Sequence, residues 1–539
     1  MPEETPPRVA EAAGGGFSVE YRGRGLYSRV APREGPERVV RALQPLPDTI
    51  YIVPSPLLGY GLETLLERLP ASSAVLALEA DPVLSAFSRS RLPPEILGHP
   101  RFRLLEDPSR ASRTLRSLGT FRRAVEVRLS AGRSLHPEVY DAALRGVDAE
   151  LERYWRNRVT LVRMGRLWIR NMFRNLARLP SVPVREAAAW DGPVVVCGAG
   201  PSLDRAAAWL AAERRRIRIL ACDTALGPLV LRGIRPDAVV CLEGQVHNLK
   251  DFLPAAGSEL PVFADLSSHP SVFRAVRGPK FLTLTEFEPL DLLDRLGGGS
   301  LPLLRVPPLG SVGVLAVHLA RRLTRYPIFL TGLDFSFPPG STHAKGSPAP
   351  QSERLREDRL YKARGQWASS WPPLPLGPGP SGNGGASAVL GLYASLLAEE
   401  TRGDPRVFDL RDSGLPLGLR RLDLPEASCL LDSREYPPYI PGPVLPARSV
   451  PSEEVRAAVA GFLDAESERL EGLLSALDGR GDLSARVADC DWIYSWFPDE
   501  GRVRSLAGDV RNRLLAEALD WKRRIREARA GLEETCGDR

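Results

Sequence analysis

The heptad Gly198-Ala199-Gly200-Pro201-Ser202-Leu203-Asp204 stands between an apolar run, Val194-Val195-Val196-Cys197, and a helix-forming stretch from Arg205 to Leu210. Strand, glycine turn and helix in that order form the repeating unit of α/β domains. Such a turn brings backbone N–H groups and a helix N-terminus to one spot, an arrangement suited to a phosphate. Gly198 and Gly200 permit close backbone approach, and Pro201 presets φ for the first helical turn. Ser202 and Asp204 are placed to cap the helix or to reach a ribose hydroxyl. Many βα turns bind nothing, so the neighbouring strands decide.

Two further strands are predicted downstream. Ile217 to Thr224 ends in Asp223-Thr224, and Val239 to Glu243 ends in Glu243-Gly244-Gln245. In a doubly wound sheet, ligands sit beyond the carboxyl ends of the strands. The spacing therefore predicts a crevice lined by Gly198 to Ser202, Asp223, Thr224 and Glu243, with capping of the next helices as the other use for the acids. A second cluster follows. Pro308-Leu309-Gly310-Ser311-Val312-Gly313 precedes an apolar helix, Val314 to Leu323. A strand, Pro327 to Thr331, then ends in Gly332-Leu333-Asp334-Phe335, and a loop carries His343 and Lys345.

A chain of 539 residues exceeds one hydrophobic core. Its formal charge of +6 is small for that length, which permits an anionic substrate and does not call for nucleic acid. The six cysteines show no CxxC pair, and three fall in predicted core strands, as buried thiols of a reducing compartment would. The first residues lack a basic segment followed by an apolar core, and no uncharged apolar run approaches the length of a membrane span. The expectation is a cytoplasmic protein without a membrane span.

Four segments are expected: an N-terminal domain at 1–120, a helical connector at 121–189, the main sheet domain at 190–430 with an insertion at 337–387, and a helical C-terminal domain at 431–539. In the first, the strand Thr49 to Val53, the turn Gly59-Tyr60-Gly61, a helix from Leu62 and the strand Ala74 to Glu79 imitate a Rossmann start. Glu79 would there meet a ribose. The turn is loaded with proline and lacks the full glycine spacing, so the domain reads as degenerate Rossmann-like. The connector carries eight arginines between Arg153 and Arg178 against one acid, Glu152. Those arginines read either as a scaffold helix with snorkelling side chains or as a face for an acidic partner or a membrane surface. The insertion, with His343, Lys345, Tyr361 and Lys362, has the position of a lid. Two C-terminal helices, Ser452 to Leu477 and Arg502 to Glu533, are expected to pack through Trp492, Tyr494, Trp496 and Phe497. Asp489-Cys490-Asp491 matches the Asp-Xaa-Asp of metal-dependent glycosyltransferases but precedes no strand turn.

The Gly-Pro-Ser-Leu-Asp turn, the Gly-Ser-Val-Gly helix start and the Gly-Leu-Asp-Phe strand end occur in an order and at separations that resemble the motility-associated-factor (Maf) glycosyltransferases. Their central domain is related to the archaeal 6-hydroxymethylpterin diphosphokinases, MptE-like. Trp168-Ile169-Arg170-Asn171-Met172-Phe173-Arg174-Asn175 resembles the two-asparagine helix that precedes the domain in that family. A more distant likeness is to bacterial sialyltransferases. The resemblance covers about residues 165–420. It implies an α/β fold with a central Rossmann-like doubly wound, sialyltransferase-like sheet domain. It further implies transfer of a nonulosonic, sialic-acid-like sugar from a CMP donor to Ser or Thr of flagellin. Gly198, Gly200, Pro201, Ser202, Asp204, Asp223, Thr224, Glu243, Gly310 and Ser311 would bind the nucleotide. His343 would act as base with Asp334 as a second catalytic group, and His247 is the other histidine near a strand end. CMP is a stable leaving group, so no metal is required, although Mg²⁺ is compatible. Glu243 departs from the family, which usually carries Asp there, and the extra methylene moves the carboxylate by about one C–C bond. The alternatives are ATP-dependent pyrophosphoryl transfer to a pterin, with Mg²⁺ near Asp204 and Asp223, and a non-catalytic flagellin-binding protein.

Overall fold

The structure, a computed structural model, describes residues 6–338, 341–348, 355, 357–360, 374–375, 385–433, 436, 448–498, 500–504, 506 and 509–534. Tyr361, Lys362, Cys536 and most of the expected lid lie outside them. The chain forms two compact units, 1–160 and 161–539.

In the first unit, β1 (Arg8–Glu11), β2 (Phe17–Tyr21) and β3 (Arg24–Gly25) form an antiparallel meander. β4 (Thr49–Pro54), β5 (Ala74–Leu78), β6 (Phe102–Leu105) and β7 (Arg123–Glu126) form a parallel sheet in the order β6-β5-β4-β7. Every residue of β4 and β5 is buried, which is why both read as continuous apolar runs rather than alternating ones. A 40-residue helix, Pro137–Leu176, begins in this unit and ends in the next.

The second unit is built on nine strands. They are β8 (Val194–Cys197), β9 (Arg218–Cys222), β10 (Ala238–Cys241), β11 (Val262–Asp265), β12 (Lys280–Thr285), β13 (Leu303–Val306), β14 (Ile328–Thr331), β17 (Val407–Asp409) and β18 (Arg420–Arg421). A separate antiparallel pair, β15 (Leu374–Pro375) and β16 (Gly385–Ala386), lies in the insertion. The nine-strand order is β13-β12-β11-β10-β9-β8-β14-β17-β18, and every pairing is parallel. From β8 the chain winds outward to β13, then returns to lay β14 on the other side of β8. That reversal puts a topological switch point between the carboxyl ends of β8 and β14. The four β8 residues are fully buried at 0 % exposure, each valine contributing about 1.5–3 kcal/mol relative to exposure.

Helices Ser452–Leu477 and Val510–Glu534 pack against each other. Trp492 and Trp496 stand on Trp521 at ring separations of 5.2 and 5.7 Å, which fulfils the packing role expected of the aromatic segment. The expected helix Arg502 to Glu533 is instead two, Glu500–Arg504 and Val510–Glu534. Leu506 lies between them at φ +51°, left-handed backbone that no α-helix continues. Asp491 of the Asp-Xaa-Asp match accepts from the Asp291 amide at 2.9 Å, where the helix Asp291–Gly297 begins. The five described cysteines are free, and all but Cys429 are buried. Among the described residues no helix is long and apolar enough to cross a membrane.

Candidate functional site

The glycine turn after β8 is held by its own protein. The Gly198 amide donates to Thr331 O and the Gly200 amide to Gly332 O, at 2.9 and 2.7 Å. Ser202 Oγ donates to Asp334 Oδ2 (2.9 Å) and accepts from the Gly332 amide (2.8 Å), while the Ser202 amide also donates to Asp334 Oδ2 (3.2 Å). A Cβ at Gly198 would lie 2.2 Å from Gly332 O, one at Gly332 2.0 Å from Gly198 O, and one at Gly200 2.0 Å from Asp334 Oδ2. The glycines are thus needed for the approach of two backbone turns, and Gly332 also adopts φ +68°. Pro201 supplies φ −57°, as expected. Neither Ser202 nor Asp204 caps the helix Ser202–Ala212; the Asp334 carboxylate does so from the neighbouring strand end. Asp334 is 2 % exposed, with its pKa raised by burial against the opposing pull of Arg411 and Ser202. Its other oxygen accepts from Ser413 Oγ at 3.2 Å. Asp334 therefore fastens the β8 and β14 turns and is a positioning residue.

The His343 segment docks onto this turn. The Ala344 amide donates to Ala199 O at 2.7 Å, and the Lys345 amide donates to both carboxylate oxygens of Asp204. Asp204 also pairs with Arg232, which donates to Lys345 O at 3.0 Å. His343 is half-buried, its Nδ1 lies 3.0 Å from Thr342 Oγ1, and burial lowers its pKa. A neutral imidazole is thus held beside the switch point. His247 is exposed in a short helical turn after β10.

An acidic group lies one and two strands away. Asp223, at the end of β9, is 2 % exposed and its pKa is pushed up to about 7, first by burial and then by Asp251. Asn248 Nδ2 donates to Asp223 Oδ2 at 2.6 Å and reaches Asp251 Oδ2 at 3.4 Å. Burial also lifts Asp251, to about 6. Half-buried Thr224 donates its amide to Asp223 Oδ1. Glu243, after β10, is exposed and its Oε1 accepts from the Gln245 amide at 2.8 Å. Its charge is felt at Asp223, at Asp251 and at Tyr393, whose own pKa is raised by burial first.

Gly310 adopts φ +69°, and a Cβ there would meet the Tyr393 ring at 3.5 Å. Ser311 caps the helix Val312–Leu323, accepting from the Gly313 amide at 3.2 Å. Gly313 lies against Leu333 and Cys222, so this helix starts beside the ends of β9 and β14. Its first turn leaves amides without an intrahelical carbonyl. Asn171 and Asn175 brace the same edge. Asn171 Nδ2 donates to Gly244 O and Ser267 O, and Asn175 Nδ2 to Leu266 O and Ser268 O, fixing the loops after β10 and β11.

Sequence reasoning missed Tyr393, Asn248, Asp251 and Arg232. The spacing of Asn248 and Asp251, three apart just after a strand, was a usable signal for a shared helical face. Tyr393 offered none, because it reaches the edge from a helix beyond the long insertion. Among the described residues no group of three or more His, Cys, Asp or Glu is arranged to hold a metal ion.

Residues 170–340 match the family model described as 6-hydroxymethylpterin diphosphokinase MptE-like. The chain is similar over its length to an uncharacterized protein of Treponema pallidum (strain Nichols), with 29 % identity across 96 % of this chain and 94 % of the relative. A second uncharacterized protein of that strain is 31 % identical over 107 residues, 18 % of this chain and 48 % of the relative. Among solved structures, the Maf glycosyltransferase from Magnetospirillum magneticum AMB-1 aligns with a TM-score of 0.56 and 16 % identity, covering 99 % of this chain and 91 % of that one. The chain therefore carries an MptE-like domain within the fold of a Maf glycosyltransferase, as the resemblance in its motifs implied.

Proposed function

We propose that this chain is a glycosyltransferase that moves a nonulosonic sugar from a CMP donor to a serine or threonine hydroxyl of flagellin. The observation that carries the reading is the grouping at the carboxyl edge of the large sheet. A neutral histidine, an exposed carboxylate, an aromatic ring and a capped helix start stand at neighbouring strand ends, in a chain whose whole length follows a Maf glycosyltransferase fold.

The chemistry divides among them. The donor phosphate belongs at Gly310, Ser311 and the start of the helix Val312–Leu323, where the helix field favours an anion. The amides after β8 are already bonded, so Gly198 to Ser202 shape the site rather than grip the phosphate. Glu243 can accept from the exocyclic amine of cytosine, and Tyr393 offers a face for the ring. His343 takes the acceptor hydroxyl proton as the acceptor oxygen bonds to the anomeric carbon and the bond from that carbon to the phosphate oxygen breaks. CMP leaves with the bonding electrons. The buried free thiols suit a reducing compartment such as the cytoplasm.

The description of the matching family model favours a second reading, pyrophosphoryl transfer from ATP to a pterin. Asp204 and Asp223, the acids that would bring Mg²⁺, do not fit that task together: one is paired with Arg232 and the Lys345 amide, the other with Asn248 and the Thr224 amide. The test is purified protein incubated with a CMP-nonulosonate and flagellin, read by intact mass, beside calorimetry with CMP. A mass increase of one sugar in EDTA supports the transferase. The same protein incubated with ATP and a hydroxymethylpterin tests the kinase, which strict Mg²⁺ dependence with AMP release would support instead. Binding of none of CMP, CDP and ATP would leave a flagellin-binding protein without catalysis.

A further inference from the structure

We propose that a cavity of about 640 Å³ in the second unit is a separate site for a small molecule that carries at least two phosphate groups. It lies where the end of the helix Pro137–Leu176 meets the loop after β11 and the helix Val510–Glu534, and it contains none of the crevice residues named above.

Its walls are cationic. Arg170, Arg174, Arg178, Arg274 and Arg524 line it, with Glu527 as the one lining acid among the described residues. Arg524 is neutralised by Asp520, and exposed Glu527 pairs with Arg523 outside the lining. Arg170, Arg174, Arg178 and Arg274 have no carboxylate partner among the described residues. Arg178 is explained by the helix terminus, since its Nη1 donates to Arg174 O at 3.0 Å. Arg170 has no such explanation: its Nε is buried without a hydrogen-bond partner. The cations crowd one point. His269, which also lines the cavity, has its pKa lowered by burial and then by Arg174, Arg170, Arg274 and Arg178 in turn. Arg170 and Arg178 are lowered likewise, by burial and by neighbouring arginines. A scaffold helix has no use for half-buried guanidinium groups that repel one another. Planar N–H forks around a cavity suit the oxygens of phosphate.

The shape selects the ligand class. A concave space of this size falls in the range of small-molecule sites, whereas a polymer or a membrane would meet an exposed stripe. Phe173 and Trp521 lie behind the arginines, 3 % and 0 % exposed, and form the floor of the cavity. The arginine run in the connector is thus more than a solvated face.

The test uses the full chain with inorganic pyrophosphate and CMP as probes, titrated by calorimetry in about 150 mM salt, where exposed charges are screened within ~8 Å. Arg174→Gln and Arg274→Gln alter exposed side chains without acid partners, so both variants should fold. Saturable pyrophosphate binding to the wild type is expected. Each variant should weaken pyrophosphate by about tenfold, and Ser311→Ala, at the phosphate position of the crevice, should leave it unchanged while weakening CMP. Pyrophosphate should also raise the Tm of the wild type and not that of the double variant. Absence of binding to the wild type, or equal affinity in wild type and double variant, would overturn the site. Loss of pyrophosphate affinity in Ser311→Ala would overturn it too, by assigning the phosphate to the crevice.

Discussion

The molecule holds two parallel sheets of the same design, one with a sealed edge and one with an open edge. In each, the first strand has its successors on one side and a late strand on the other: β4 lies between β5 and β7, and β8 between β9 and β14. At each switch point a serine bonds a buried acid at the end of a neighbouring strand, β5 in the first sheet and β14 in the second. In the first sheet Ser55 Oγ donates to Glu79 Oε2 at 2.7 Å, with Tyr140 on the other oxygen. In the second, Ser202 Oγ donates to Asp334. Glycine closes both: a Cβ at Gly132 would lie 2.1 Å from Ser55 Oγ, as one at Gly200 would lie 2.0 Å from Asp334. The sheets differ beyond that point. The further acids of the first sheet are used internally, Asp81 capping the helix Pro82–Arg91 and Glu106 pairing with Arg89. The second sheet leaves Glu243 exposed beside Tyr393 and the Gly310–Ser311 helix start. A switch point offers a place for a ligand, and the side chains around it decide whether the place stays open.

The largest effect should come from breaking the closure itself. Gly332→Ala drives a methyl into the Gly198 backbone at a positive φ. It should cost about 4 kcal/mol or more, or prevent folding. Urea unfolding measures it. A folded, stable Gly332→Ala protein would show that the two turns separate freely and that the glycines serve a ligand after all.

That closure also explains which parts were legible in the sequence. Runs such as Val194–Cys197 and Ala74–Leu78 announce buried parallel strands, because both faces need apolar residues. The strands β11 to β13 were not read: Lys280 and Thr283 of β12 are polar yet buried, so pattern alone hides them. The Gly-Pro-Ser-Leu-Asp turn was visible as a turn. Its partner was not, since the contact between Gly198 and Gly332 joins residues far apart in sequence. Asp334 was legible as special but not as a fastener, a role that depends on Ser202 lying opposite.

A second test sets the acids of the two edges against each other. Burial raises Asp223 from 3.8 to about 7 and raises Glu79 as well. A carboxyl that binds its proton more tightly in the fold stabilises the fold at low pH. That contribution is complete below the unfolded value and is lost as pH rises through the folded one. For Asp223 the window runs from about pH 4 to about pH 7, and the loss reaches at most about 4 kcal/mol. Asp251 shares Asn248, so the two acids titrate as a pair. Unfolding free energies across that window should fall less steeply in Asp223→Asn than in the wild type, and Glu79→Gln should flatten the first unit's share. An unchanged slope in Asp223→Asn would mean that its carboxyl is hydrated.

His343→Ala probes the open edge alone. If the imidazole is the base, turnover should fall about a hundredfold, equivalent to ~2.7 kcal/mol in the barrier, while CMP affinity stays nearly unchanged. The lowered pKa of His343 predicts full activity at pH 7, with a decline only on acidification. Wild-type flagellin modification by the variant would move suspicion to His247.

The smallest effects compare the two fasteners directly. Ser202→Ala removes a donor from Asp334 and the acceptor of the Gly332 amide, while Ser55→Ala removes one donor from Glu79. Each should cost about 1–3 kcal/mol, the larger loss at Ser202, where two buried groups lose a partner. Thermal unfolding separates them, and CMP calorimetry on the folded proteins supplies the second reading. If both serines only fasten neighbouring strand ends, both variants melt earlier and the Ser202 variant binds CMP as the wild type does. A Ser202→Ala protein with an unchanged Tm and CMP affinity weakened by about tenfold or more would break the parallel. The hydroxyl would then belong to the nucleotide, and the amides of the glycine turn would have to open to receive it.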